Sequence, residues 1–103
     1  VPEALPIPAD LIDLQRALDS ARGELYAYAD TVTAERRAAF PDPEQIIERQ
    51  TWTDEQNGRL AELREGERTA AQAVRTHPTM AQAAAEKCHH QTDMALRRAA
   101  VEA

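Results

Sequence analysis

The chain is poor in aromatic residues, which make up 4% of its 103 positions. Trp52, Tyr26, Tyr28 and Phe40 are the whole set. A core built on stacked rings is therefore excluded, and alanine, which buries little area per residue, carries much of the apolar content. There is a single cysteine, Cys88, so no disulfide can form within the chain. No run of about 18 apolar residues occurs, which excludes a membrane-spanning helix. The N-terminus has no basic region followed by an apolar stretch, so no secretory signal is expected and the cytoplasm is the expected compartment. Lysine is nearly absent: Lys87 stands alone beside eleven arginines. The formal net charge of −6 disfavours nucleic acid as a partner, because phosphate binding relies on clustered cations.

What the sequence does have is helical periodicity. Leu11, Leu14, Leu18, Ala21, Leu25, Tyr28, Val32 and Ala39 recur at alternating spacings of three and four, with Glu35 as the one break. This a/d pattern predicts a helix over residues 10–40, about 45 Å long, packed along its length against another helix. Asp10 and Asp13 suit its positive end, Arg36 and Arg37 its negative end. Pro41 and Pro43 stop it. Ahead of it, Pro2, Pro6 and Pro8 make residues 1–9 an extended arm, either pinned to the helices by Leu5 and Ile7 or a loose tail.

Residues 41–53 read as a connector. Pro43 could open a short helix capped by Asp42, with Ile46 and Ile47 turned inward. From Pro41 to Arg59 there are five acids against two arginines, so this corner holds much of the negative charge. A second helix is predicted over 54–77. Thr53 and Gln56 form a capping box, and Trp52 stands just before it, placed to close the end of the core. Its inward seam is Leu60, Leu63, Ala70 and Val74, extending to His77 and interrupted by Glu67. Pro78, with Thr76 or His77 as cap, starts a third helix over 78–102 that folds back on the second. Its inward stripe is Met80, Ala84, Cys88, Thr92, Ala95, Leu96 and Ala99. The expected fold is all-α, one domain: an antiparallel three-helix bundle with a long, coiled-coil-like N-terminal helix.

The densest polar cluster is Glu86, Lys87, Cys88, His89, His90 and Asp93. On a continuous helix Glu86 and His89 share a face, as do His89 and Asp93. Glu-x-x-His is half of the motif that holds di-iron in carboxylate proteins. The remaining ligands would come from Glu24, Glu35, Glu62 or Glu67, of which Glu35 and Glu67 read inward. Glu67, in the middle of the second helix, could approach Glu86 and His89, but Glu35 could not. A single chain thus falls short of the three or four ligands a metal needs, and neither metal nor cofactor is expected. A ferritin-like oligomer using Glu86, His89 and Glu67 is the alternative. Cys88 lies among small residues and His89 points about 100° away from it, so the pair is not a nucleophile and base.

Two resemblances bear on function. Ile7-Pro8-Ala9-Asp10-Leu11 and the Ala- and Arg-rich helices resemble short uncharacterised helical proteins of actinobacteria, a resemblance that covers most of the chain and implies no activity. The size, the helical hairpin and Trp52 also resemble the secreted Trp-x-Gly hairpin family. Here Trp52-Thr53-Asp54 lacks the glycine. That family's Tyr-and-acid export signal is matched only by Tyr26 and Asp30, inside the first helix rather than after the second. The reading these observations favour is a non-enzymatic helical module that binds protein, itself above all, through Leu11, Leu14, Leu18, Leu25, Tyr28, Val32, Leu60, Leu63 and Val74. A secreted hairpin effector is a further alternative.

Overall fold

Helix α1 (Ala9–Ala39) is the spine of the molecule. After it come α2 (Ile46–Gln50), α3 (Asp54–Arg75), α4 (Pro78–Ala85) and α5 (His89–Val101). The computed structural model describes residues 2–102, and among them there is no strand. Val1 and Ala103, the ends of the expected domain, lie outside the described residues. At 31 residues α1 is about 46 Å long.

Three side-chain pairs, two from α3 and one from the turn just after it, give the direction of α3 against α1. Arg36 reaches Gln56, Arg22 reaches Glu67, and Asp10 reaches His77. Rising numbers on α3 meet falling numbers on α1, so the two form an antiparallel hairpin. Thr53 caps α3 through the expected reciprocal box with Gln56. His77 caps α4, and Pro78 is its first residue.

The expected third helix over 78–102 is two helices. Glu86 ends α4, and Lys87 takes a left-handed conformation at φ 60°. The Cys88 N–H donates to Ala83 O at 2.9 Å and the Lys87 N–H to Ala84 O at 3.2 Å. This is the Schellman arrangement, which satisfies the carbonyls a helix end leaves open. Ala83 and Cys88, which bracket that turn, are both buried. The break turns α5 away from the register of a continuous helix. Ala83 is buried where the stripe had Ala84, and Ala100 is buried where it had Ala99. α5 then lies along the first half of α1: Arg16 donates to Ala100 O and Glu102 O. The arm is pinned, with the Leu5 N–H on Thr92 Oγ1 at 3.1 Å and Ile7 packed on the core.

The core sits at this end of α1. Leu11, Leu18, Val74, Met80 and Leu96 form one buried cluster. At the other end only the hairpin and its connector meet. The molecule is accordingly long, 55 × 26 × 23 Å, with a radius of gyration of 18.7 Å. A compact domain of this size would have about 13 Å.

The connector departs from expectation. The short helix begins at Ile46 rather than Pro43, after a turn in which the Gln45 N–H donates to Asp42 O. Ile46 and Ile47 are exposed, not inward. Two arginines fasten this tip. Arg36 donates to Glu48 O and lies over the Phe40 ring, and Arg49 donates to Phe40 O at 2.8 Å and Asp42 O at 2.6 Å. The inward seam of α1 therefore slips from Glu35 and Ala39, both exposed, to Arg36 and Phe40, both half-buried. A straight helix drifts by about 20° per heptad, so a strict three-four register cannot hold over 31 residues.

Candidate functional site

Where α1, α3, α4 and α5 converge they leave a cavity of about 240 Å³. Each long helix contributes residues at helical spacing: Gln15, Leu18 and Arg22 from α1, Ala71, Val74 and Arg75 from α3, and His89, Asp93 and Arg97 from α5. Met80 of α4 completes the lining. Leu18, Val74 and Met80 are buried, so the floor is apolar. The polar wall is cationic. It carries three guanidinium groups and one imidazole against a single carboxylate, in a chain whose net charge is −6.

Two of the arginines are held. Arg22 Nε donates to Glu67 Oε1 at 3.1 Å, and Arg97 Nε to Asp93 Oδ2 at 3.0 Å. These pairs order the guanidinium groups beside the cavity. Arg75 makes no ion pair among the described residues. Gln15 is only 3% exposed and donates from Nε2 to Asp19 Oδ1 at 3.0 Å.

The expected site residues divide. His89 and Asp93 do share a face of α5. Glu86 and His89 do not share a helix: the first ends α4 and the second starts α5. Glu86 accepts from Gln82, and Glu67 accepts from Arg22. The Glu-x-x-His geometry thus depended on a continuous helix that the left-handed Lys87 interrupts. Among the described residues no three of His, Cys, Asp and Glu gather as metal ligands. Cys88 is buried, accepting a long contact from Thr92 Oγ1 at 3.7 Å.

The seam residues separate by position. Leu11, Leu18, Val32, Leu63 and Val74 are buried, whereas Leu14, Leu25, Tyr28 and Leu60 are partly exposed. Tyr28 meets Trp52 edge to face, ring centroids 6.3 Å apart. Residues missed from sequence are Gln15, Arg22, Arg75 and Arg97, none of which falls on the expected inward seams. The one available signal was that Gln15 and Arg22 lie seven apart, flanking Leu18.

Beside the cavity, His77 links three elements. Its Nδ1 accepts from the Thr79 N–H at 3.1 Å, so the ring proton sits on Nε2, which donates to Asp10 Oδ2 at 2.9 Å. That bond holds the Asp10 carboxyl below its ordinary range.

The sequence profile of a domain of unknown function, DUF8825, matches residues 10–99. The chain belongs to the DUF8825 family. The DUF8825 match runs from the first turn of α1 into the last turn of α5, so it takes in every residue lining the cavity. No curated protein and no solved structure matches the chain. None of the described helices is long and apolar enough to cross a membrane.

Proposed function

We propose that this DUF8825 chain is a non-enzymatic, cytoplasmic helical module whose partner is a second copy of itself. The observation that supports the reading is the unequal cover of α1. Helix α5, with 13 residues, is about 20 Å long and lies along less than half of α1. Beyond it, among the described residues, only the five-residue α2 joins the hairpin. Leu25, Tyr28, Leu60 and Trp52 remain partly exposed there, and Tyr26, Ile46 and Ile47 are exposed. The side of α1 from which the exposed Arg16 reaches α5 continues, seven residues on, at Gly23 and then at Tyr26, which is 63% exposed. Apart from its own turn of helix and chain neighbours, nothing among the described residues comes within 4 Å of where a Cβ on Gly23 would stand. A second helix layer laid there would bury the stretch that one chain leaves open and supply the area that a small alanine-rich core lacks. Such a pairing would be a full-length helical bundle between chains, in place of the three-helix bundle expected within one.

The test is the association state by sedimentation equilibrium up to high micromolar concentration. The parent is expected to dimerise or go higher, and Tyr26→Glu to move it toward monomer with unchanged helical circular dichroism. Gly23→Ala should stabilise an isolated helix by about 1 kcal/mol. In the dimer it should instead weaken association, because a methyl group enters the contact. A parent that stays monomeric throughout removes the reading.

A second reading, a secreted helical-hairpin effector, draws on the α1–α3 hairpin and on Trp52, which stands in its connection just before the α3 cap. Its check is immunodetection of the chain in culture medium against a cytoplasmic marker.

A further inference from the structure

We infer that the cavity between α1, α3 and α5 is a binding site for a small organic anion: an oxyanion head, phosphate ester or carboxylate, on a short apolar body. Charge is the first indication. Apart from Asp93, the ionisable groups lining the cavity are Arg22, Arg75, Arg97 and His89. Side chains that carry positive charge repel one another, and an acidic protein has carboxylates to spare for pairing them. Glu67 and Asp93 take one N–H each from Arg22 and Arg97, leaving both guanidinium groups with further donors. Arg75 is left with no carboxylate partner among the described residues. Arginine presents its donors in a planar fork that matches carboxylate and phosphate oxygens, and neighbouring ion pairs fix where such forks stand.

Two further features agree. His89 is the first residue of α5, whose cap residue Cys88 makes no side-chain hydrogen bond to the helix, so the partial positive charge of that helix end lies on the same side as the arginines. The apolar part of the lining is Leu18, Val74, Met80 and Ala71, which offers contact to hydrocarbon but no hydrogen bonds from its side chains. A head that takes the arginines and a body that covers this floor would use both halves. The volume, about 240 Å³, falls below the range of roughly 300–1,000 Å³ typical for drug-sized ligands, which selects a small molecule.

The experiment titrates the full chain with phenyl phosphate, benzoate and inorganic phosphate at constant ionic strength. It follows the imidazole resonances of His89 and His90 and the melting temperature. The expected result is saturable binding of phenyl phosphate or benzoate that moves His89, which lines the cavity, more than His90, which does not. Whichever of the two binds more tightly identifies the head as phosphate ester or carboxylate. Arg75→Gln should weaken that binding at least tenfold. Arg98→Gln, which removes the same charge outside the cavity, should leave it within twofold. Both variants replace exposed side chains, and unchanged helical circular dichroism shows that they fold. Equal weakening by the two variants would mean unspecific attraction and overturn the site. So would the absence of saturable binding by both organic probes, or inorganic phosphate binding as tightly as phenyl phosphate, since the apolar floor would then play no part. The readout is taken at a concentration where sedimentation shows one species, so it stands or falls independently of self-association.

Discussion

The two ends of α1 carry the same leucine pattern and fare differently. At the N-terminal end Leu11 and Leu18 are enclosed by α3, α4, α5 and the proline-rich arm. Toward the C-terminal end Val32 is buried, but Leu25 and Tyr28 before it meet α3 and Trp52 and remain partly open to water. A heptad seam states that a helix face will pack. How much area that packing removes from water depends on how many layers surround it. Two helices and a connector bury single positions such as Val32 and leave others of the seam partly open, and a third helix layer encloses more of them.

The sharpest way to break this contrast is to truncate one leucine at each end. Leu96, fully buried in α5, should lose about 2–5 kcal/mol on change to Ala, and the melting temperature should fall by at least about 8 °C. Leu25→Ala should cost about 1 kcal/mol, because part of its surface is already in water. Sequence periodicity alone would put Leu18 and Leu25 in the same class. Equal losses for Leu96 and Leu25 at low protein concentration would mean that the far end is as enclosed as the near one.

Arg49 tests how the open end holds its shape without a deep core. From sequence it is an exposed connector residue whose removal should cost under about 0.5 kcal/mol. In the structure it is half-buried and donates to Phe40 O and Asp42 O, holding the end of α1 to the connector. Arg49→Ala should therefore cost about 1–2 kcal/mol in urea unfolding. A loss below about 0.5 kcal/mol would return the tip to the status of a solvated corner.

The smallest effect is expected at the enclosed end and depends on pH. The hydrogen bond from His77 lowers the folded-state Asp10 carboxyl relative to the unfolded chain. The unfolded state thus takes up this proton first as pH falls. The bond's contribution is complete above the ordinary carboxylate range, about pH 4, and is lost as pH drops through the lowered folded value. Melting temperatures of the parent and Asp10→Asn should accordingly converge between about pH 5 and pH 2. A difference that widens on acidification would show that the bond does not select the ionised carboxylate.

What was legible in the sequence was chemistry that acts within a few residues. Thr53 and Gln56 reach each other's backbone groups three positions apart. His77-Pro78 places a cap beside a residue that lacks an N–H, and the three–four recurrence of leucine marks the buried side of α1. The end of α4 was not legible, because the left-handed position that usually falls to glycine is occupied by Lys87. Nothing in Ala-Ala-Ala-Glu-Lys-Cys announces a stop. The inward reading of Ile46 and Ile47 failed for a related reason: apolar character suggests burial, but five residues of helix at a hairpin tip have no second layer to face.

The sequence by itself determined that the chain is helical, where the hairpin begins and ends, and which stripe of α1 packs as far as Val32, since each arises from short-range backbone chemistry and from periodicity. Tertiary structure decided the break at Lys87, the short reach of α5 and the gathering of Arg22, Arg75, Arg97 and His89 about one cavity. Those residues come from three helices and stand up to 75 positions apart from Arg22 to Arg97. No local preference encodes such a meeting. It arises when buried side chains set the angle and register at which whole helices pack, and that depends on the fit of every neighbour at once.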